Sequence, residues 1–255
     1  MKLAELTWAE ARDADAELIF LPVGSLEQHG LHLPLNNDTF VAERLADLMA
    51  AELSKLGRTA LVAPAIPIGL SSHHMGFYGS LTLGVETFQA VIAEVCRGLC
   101  GHGFRRIAVV NGHGGNSKAL RRAAMSLEGE VSIVILEYWR HLGAAALQQI
   151  ESAFLCHACE GETSVSLALG QRGRMEKAAS SYPVAGKSDY NLLDSRNQGG
   201  ILLPLIHTIS ESGAIGDPSL ATREKGDRML KAILADMLEV LSGKRAVLGV
   251  GEPAC

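Results

Sequence analysis

The residues best suited to chemistry follow apolar runs or precede helical patterns. Glu27 and His29 follow the first apolar run, Asp38 precedes a helical pattern, and His113 follows a later apolar run. In an open α/β sheet such positions lie at the carboxyl ends of the strands, where ligands bind. Two carboxylates and two imidazoles at one edge suit a borderline divalent metal such as Zn²⁺, Mn²⁺ or Fe²⁺. Taken singly, each residue also fits a solvent-facing loop, and Asp38 fits a helix cap. Taken together, they predict a metal site.

A second polar cluster, Cys156 to Ser164, runs directly into a pattern that predicts a helix over Thr163–Leu169, capped by Thr163 or Ser164. The spacing of Cys156 and Cys159 suggests a redox pair, but the surrounding pattern is not that of a thioredoxin-like site. A structural Zn²⁺ would need two further ligands, and the chain has no second Cys-x-x-Cys. Packing is the favoured role of both thiols.

The elements that must position these residues alternate between short apolar runs and longer stretches of helical period. This alternation is typical of a layered α/β fold with mostly parallel strands. Strands are predicted at Leu18–Val23, Ala60–Ile68, Arg106–Asn111 and Val131–Tyr138. Helices are predicted from Asp38 to a stop at Gly57, and over Val85–Cys100, Ser117–Leu127, Thr163–Leu169 and Thr222–Leu241. No repeat or compositional boundary divides the chain, so residues 1–255 are expected to form one domain, with a long functional loop over Ala178–Gly200.

Composition excludes several classes of protein. A chain of 255 residues with 47% hydrophobic and 20% charged residues is an ordinary globular chain rather than a disordered or collagen-like one. A net charge of −5 without a basic run argues against a nucleic-acid partner. The apolar stretches are too short to span a membrane, and no signal-peptide core opens the chain. The odd count of 5 cysteines fits a reducing compartment, so we expect a cytoplasmic protein.

Several motifs together resemble one known family. The segment Gly24-Ser25-Leu26-Glu27-Gln28-His29-Gly30, with Leu31 to Leu35 and Asp38 after it, is similar to the signature of the creatininase (creatinine amidohydrolase) family. Further segments agree in the family's order: Gly76 to Leu83, Val110 to Asn116, and His157 with Glu162-Thr163-Ser164. Gly216-Asp217-Pro218, with Ala221-Thr222, resembles members other than creatininase itself. The resemblance covers roughly residues 17–226, nearly the whole chain.

The resemblance implies a three-layer α/β/α sandwich with a mostly parallel central sheet. It also implies two divalent ions per chain, of Zn, Mn or Fe, and a homo-oligomer that is commonly a hexamer. The implied reaction is hydrolysis of a carbon–nitrogen amide bond other than an ordinary peptide bond. The substrate would be a small-molecule amide or a modified peptide.

The resemblance also implies how the metal ligands are divided. Glu27 and His113 would bind one ion, His29 the other, and Asp38 would bridge the two. A carboxylate can do so because its two oxygens span ions about 3.5–4 Å apart.

One position departs from creatininase. There, a glutamate two residues after the glycine-flanked histidine completes the second metal site, whereas this chain has Gly115. Glu162 is the expected replacement, with Glu160 as the second candidate. The departure puts creatinine itself in doubt as the substrate.

A mechanism follows as a hypothesis. A hydroxide held between the two metal ions attacks the amide carbonyl while a metal stabilises the oxyanion. His157, which matches the family's catalytic histidine, carries the proton to the leaving nitrogen. His74, Ser80 and Glu160 are the expected substrate-binding residues.

Three activities within the family are compatible with the sequence: opening of a cyclic amide, deformylation of a formamidopyrimidine nucleotide, and trimming of a modified peptide as in mycofactocin maturation. The Gly-His-Gly-Gly-Asn and Gly-Asp-Pro segments favour the latter two. A phosphate-bearing substrate should need basic pocket residues, for which Lys187 and Arg196 are the candidates. The alternative is a non-catalytic metal- or ligand-binding member of the fold, favoured by Gly115 but opposed by the joint presence of the other site residues.

Overall fold

The computed structural model describes residues 1–143, 147–182 and 205–243 of the chain. The central strands are Leu18–Val23 (β1), Ala60–Val62 (β2), Arg106–Asn111 (β3) and Ser132–Glu137 (β4). They form one sheet in the order β2-β1-β3-β4, in which all neighbouring pairs are parallel. The carboxyl ends of β1, β3 and β4 therefore meet at one edge of the sheet.

Helices cover both faces of this sheet. Among the described residues the α-helices are Trp8–Asp13 (α1), Asn37–Lys55 (α2), Val85–Gly101 (α3), Ser117–Met125 (α4), Glu160–Ala168 (α5) and Arg223–Leu241 (α6). Leu18 and Phe20 of β1 belong to a core shared with α2, α5 and α6. Ile19 and Leu21, on the opposite face of β1, belong to a core shared with α3 and α4. This arrangement confirms the predicted three-layer α/β/α sandwich.

Two predicted elements differ from the structure by three or more residues at one end. The prediction of a strand over residues 60–68 was too long, because β2 ends at Val62. Pro64 and Pro67 lack the N–H groups that a continuing ladder needs, and only isolated pairing continues beyond β2, as in the bond from Ile66 N to Pro22 O (3.0 Å).

The helix predicted from Thr163 begins three residues earlier, at Glu160. The capping prediction for Thr163 and Ser164 was wrong. Both residues lie inside α5, and Cys159 occupies the N-cap position without a side-chain capping bond.

A second, smaller sheet was not predicted. Leu155–His157 (β5) pairs antiparallel with Ile215–Gly216 (β6). These strands are too short to give a periodic signal in the sequence. β5 leads through Ala158 and Cys159 into α5, so the two residues expected from the later motif, His157 and Glu162, flank one strand-to-helix turn.

The described part of the chain contains no helix long and apolar enough to cross a membrane. Most of the long loop predicted over residues 178–200 lies outside the described residues, as do Lys187 and Arg196.

Candidate metal centre

The structure brings the predicted donor residues together beyond the carboxyl ends of β1 and β3. Two groups of three donor residues share one carboxylate, and within each group the donor atoms lie within 4.8 Å of one another. The first group is Glu27, Asp38 and His113, and the second is His29, Asp38 and Glu162. Asp38 is the carboxylate common to both groups, and the division of the ligands between two ions stays a prediction.

Short backbone contacts hold the loops that carry these groups. The loop after β1 is tied down by a bond from Glu27 N to Leu35 O (3.0 Å). The loop after β3 packs against the first turn of α2 so closely that a Cβ at Gly112 would lie 2.1 Å from Asp38 O. Glycine at position 112 is what allows this approach.

Asp38 is placed to bridge rather than to cap its helix. Its Oδ1 lies 2.8 Å from Nε2 of His29, and its Oδ2 lies 3.1 Å from Nδ1 of His113. The Ser25 hydroxyl donates to Oδ2 at 2.9 Å. The N-cap position of α2 belongs to Asn36 instead. The helix-cap alternative for Asp38 is therefore not supported by its contacts.

Backbone carbonyls fix the orientation of three imidazoles. Nδ1 of His29 faces Glu27 O (3.1 Å), Nε2 of His113 faces Leu70 O (3.1 Å), and Nε2 of His157 faces Gln28 O (2.7 Å). A carbonyl can only accept, so each of these nitrogens carries its proton. The other nitrogen of each ring faces the carboxylates and can offer a lone pair, which is the usual arrangement around metal-ligating histidines.

Glu27 is the clearest sign that the cluster suits a cation. Its carboxylate is fully buried, and neither oxygen has a hydrogen-bond partner among the described residues. Nitrogens of His74 and His113 lie 3.2 Å from Oε1, and Nδ1 of His157 lies 3.7 Å away. Burial alone would raise the pKa of Glu27, but the neighbouring His113 and His74 hold the pKa well below its usual range. A buried anion without hydrogen bonds needs a positive partner.

The histidines respond in the complementary sense. Burial alone would lower the pKa of His29, but Asp38 and Glu162 raise this pKa well above its usual value. Glu27 and Asp38 likewise raise the pKa of His113 against the effect of burial. Protons on these rings thus balance the carboxylates. Because metal binding releases protons from its ligands, a divalent cation could take the place of these protons in the donor set.

Glu162 occupies the place expected for it beside His29. Its Oε1 lies 3.5 Å from Nε2 of His29, while Oε2 accepts a bond from Ala158 N at 2.5 Å. The Tyr138 hydroxyl donates to Oε1 at 3.4 Å. Sequence analysis did not single out Tyr138 as functional, although its place at the end of the predicted fourth strand is the signal that could have found it.

Glu160 lies elsewhere, and its expected roles need correction. The carboxylate is fully buried, takes a bond from Lys225 Nζ at 2.5 Å, and accepts from Ser152 N at 2.7 Å and from Glu151 N. These contacts make it a structural ion pair between α5 and α6. We therefore do not retain Glu160 as a substrate contact or as a metal ligand.

The other expected substrate contacts are buried around the same loop. Ser80 is 4% exposed, and its hydroxyl accepts a bond from Gln28 N at 3.2 Å. His74 is 1% exposed and lies between Gln28 and Glu27. Both side chains therefore support the loop after β1, and sequence reasoning missed the residue between them, Gln28.

Gly115 could not carry a side chain in this backbone. A Cβ there would lie 2.3 Å from Nε2 of His113 and 2.5 Å from Leu70 O. The absence of a side chain allows the Leu70 carbonyl to orient His113. The departure from the creatininase pattern is thus part of how this site is built.

The two thiols flanking His157 are both free. Burial raises the pKa of Cys159 to about 11 and also raises that of Cys156. A raised pKa disfavours the reactive thiolate, in agreement with the packing role predicted for these cysteines.

Comparisons with known proteins agree with this geometry. The family model for creatininase, described as creatinine amidohydrolase, matches residues 4–241. A mycofactocin precursor peptide peptidase from Mycobacterium tuberculosis is 34% identical over 231 residues, which are 86% of this chain and 82% of the relative. A crystal structure of creatinine amidohydrolase gives a TM-score of 0.72 at 26% identity, covering 95% of this chain and 97% of its own. A structure named Creatininase Mn gives a TM-score of 0.71 at 26% identity, covering 95% and 98%.

Proposed function

Because the chain belongs to the creatininase family, we propose that it hydrolyses a carbon–nitrogen amide bond at a two-metal centre formed by the two donor groups that share Asp38. The observation that carries this proposal is the buried carboxylate of Glu27, whose oxygens make no hydrogen bond to the described residues, beside that shared carboxylate. The first ion would be held by Glu27, Asp38 and His113. The second would be held by His29, Asp38 and Glu162.

When bound, two divalent ions supply an acidified water and a charge that stabilises the oxyanion of the tetrahedral intermediate. Zn²⁺ and Mn²⁺ are the first ions to test, since nitrogen and carboxylate donors suit both. The protein's own contribution is to hold the donors in a buried site. In His29 and His113, the ring nitrogen that points away from the carboxylates is protonated and faces a backbone carbonyl, so these rings need not reorganise when the ions bind.

His157 is proposed to move the proton. Its Nε2 is committed to Gln28 O, which leaves Nδ1 as the atom that exchanges a proton on the side of Glu27. Burial, together with the charge of His29, lowers the pKa of His157, so the ring is neutral and ready to accept. It then takes a proton from the attacking water and returns it to the leaving nitrogen.

His157 also belongs to a third possible donor group, with Glu27 and His29. A ligand role and a proton-transfer role predict different outcomes for one substitution. His157→Ala should retain about two metal ions per chain and lose about 10²- to 10⁴-fold in kcat if the residue transfers the proton. It should lose an ion if the residue is a ligand.

The test is elemental analysis of protein purified without chelators, followed by turnover on a panel of creatinine, formamides and short modified peptides. His141→Ala is the matched control, because His141 pairs with Asp236 of α6 rather than with the cluster. A wild-type protein that binds no divalent ion after incubation with Zn²⁺ or Mn²⁺ would refute the proposed function.

A modified peptide is the first substrate class to test. The peptidase relative is 34% identical over 86% of this chain, whereas a creatinine amidohydrolase of Pseudomonas putida is 32% identical over 66% of it. A cyclic amide and a formamide are the other classes in the panel. Turnover of creatinine alone would overturn this order.

The non-catalytic alternative predicts a different result. In that case the protein would bind metal in the same stoichiometry and turn over no member of the panel. Gly115 favours this alternative, and the proton-transfer geometry of His157 favours the enzyme.

We further propose a cytoplasmic homo-oligomer, with a hexamer as the expected form. The free thiols support a reducing compartment, and the family resemblance supports the assembly. Light scattering coupled to size-exclusion chromatography measures the assembly directly.

A further inference from the structure

We infer that Gln28 is a positioning residue of the metal centre. Its carboxamide holds His74 in the tautomer that presents an N–H to the Glu27 carboxylate. This inference rests on the proposed role of Glu27 as a metal ligand. It gives a function to two buried side chains, Gln28 and His74, that the proposed hydrolysis does not use.

The orientation of the Gln28 amide is fixed by two backbone groups. Gly30 N donates to Oε1 at 2.9 Å, and Nε2 donates to Gly213 O at 3.0 Å. An N–H can only donate and a carbonyl can only accept, so the amide cannot be reversed without losing both bonds. The side chain is also closely enclosed, since a Cβ at Gly213 would lie 1.9 Å from Oε1.

This orientation decides the tautomer of His74. The second proton of Gln28 Nε2 points to Nδ1 of His74, 2.8 Å away, so Nδ1 must accept. A neutral His74 therefore carries its proton on Nε2. That atom lies 3.2 Å from Oε1 of Glu27. The ring presents an N–H, not a lone pair, to the carboxylate.

Two consequences follow for the metal centre. His74 cannot serve as a metal ligand through Nε2 while Gln28 holds it in this state. It can instead orient the Glu27 carboxylate through the N–H that lies 3.2 Å from Oε1, and the loss of such a supporting contact typically costs about 10- to 100-fold in metal affinity. Gln28 acts through His74 and touches neither metal nor substrate.

A matched pair of substitutions separates a donor from a ligand. The amide nitrogen of His74→Gln can reach the position of Nε2 and keep a donor toward Glu27, whereas His74→Asn ends near the position of Nδ1 and loses it. We expect Mn²⁺ affinity within about threefold of wild type for His74→Gln and 10- to 100-fold weaker for His74→Asn. Equal affinities of the two variants would overturn the inference.

Gln28→Met tests the other half, because it keeps the side-chain length but removes the donor. We expect it to weaken Mn²⁺ binding about tenfold and to add nothing in the His74→Asn background, since both changes then remove the same interaction. Losses that simply multiply in the double variant would assign Gln28 a general structural role. Thermal unfolding of each apo-protein controls for folding.

The tautomer itself is measurable without metal. In ¹⁵N-histidine-labelled apo-protein, the signal that disappears in His74→Gln should show an unprotonated Nδ1 and a protonated Nε2. Gln28→Met should alter that pattern. If His74 of the wild type is protonated on Nδ1, the inference is refuted even if the protein binds two ions. If His74 has the expected tautomer but the wild type binds neither Mn²⁺ nor Zn²⁺, only the proposed function is refuted.

Discussion

Replacing Glu162 by glutamine should empty one metal site and leave the other filled. The amide oxygen of Glu162→Gln can still accept the bond from Ala158 N, so the turn into α5 should survive. The substitution removes the charge beside His29, whose Nε2 lies 3.5 Å from Oε1. The change is therefore confined to the second donor group.

The size of the effect follows from the number of ligands. Structural Zn²⁺ sites with four ligands bind with roughly 10–16 kcal/mol, or about 2.5–4 kcal/mol per ligand. At 1.4 kcal/mol per decade, losing one ligand weakens binding by about 10²- to 10³-fold. Because the amide oxygen keeps the bond from Ala158 N, the amide NH₂ group faces His29 and cannot ligate a cation, so the upper end, about 10³-fold, is the expected value for Glu162→Gln.

The assay is metal content per chain after dialysis against buffered Zn²⁺. The free Zn²⁺ concentration lies between the dissociation constants expected for the second site in wild type and in Glu162→Gln. Wild type should keep two ions, and the variant one. Glu160→Gln is the matched control: it lies on the same helix, but its carboxylate pairs with Lys225. It should keep both ions and lose up to about 3 kcal/mol of unfolding free energy, because Lys225 retains Glu151 as a partner. Two ions in Glu162→Gln, or one in Glu160→Gln, would contradict the ligand assignment.

Two further predictions concern packing near the sheet. Gly115→Ala should displace His113 from Leu70 O, which lowers metal affinity and reduces the free energy of unfolding by about 1–3 kcal/mol. Chelator competition measures the affinity, and thermal unfolding measures the stability. Wild-type values for both would contradict the crowding around residue 115. Cys96 should resist iodoacetamide at pH 8 in the native protein, since burial raises its pKa to about 11. The unfolded chain releases this proton first, so the stability from the buried thiol is present below about pH 9 and declines towards pH 11. Stoichiometric labelling of Cys96 in native protein, detected by mass spectrometry, would contradict this.

The sequence identified the part of the site that lies at strand ends. Glu27, His29 and His113 follow strands whose apolar runs are unmistakable, and parallel strands end at one edge. Asp38 lies at the same edge of the sheet because α2 begins there, at Asn37. Position relative to a periodic element was sufficient evidence for these four residues.

The second half of the site has no such local signal. His157 ends β5, a strand of 3 residues that periodicity cannot detect, and Glu162 lies in the first turn of the helix that follows. The family resemblance alone indicated a role for these two residues. Glu160 shows the limit of reasoning from neighbours. It lies two residues from Glu162, yet its partner Lys225 is 65 residues away in sequence, and that partner decides its role.

Gln28 lay within the quoted motif but carried no predicted role, for a related reason. Its side-chain partners His74 and Gly213 are 46 and 185 residues away. A hydrogen-bond network closed by the fold leaves no spacing pattern in the sequence. What the sequence can show is only that a polar residue stands between two predicted ligands.

The difference from the creatininase pattern lies at residue 115, the position expected to complete the second metal site. Gly115 offers no ligand, and the backbone around it leaves no room for one. His74, another imidazole beside Glu27, presents an N–H to this carboxylate instead of a lone pair. An ion held by Glu27, Asp38 and His113 would therefore have three protein ligands, the number typical of catalytic sites that keep a position for water or substrate. A glutamate at residue 115 would require moving Leu70 and His113, so the ligand of the creatininase pattern cannot be restored by one side chain, and Glu162 is the candidate left to complete the second site.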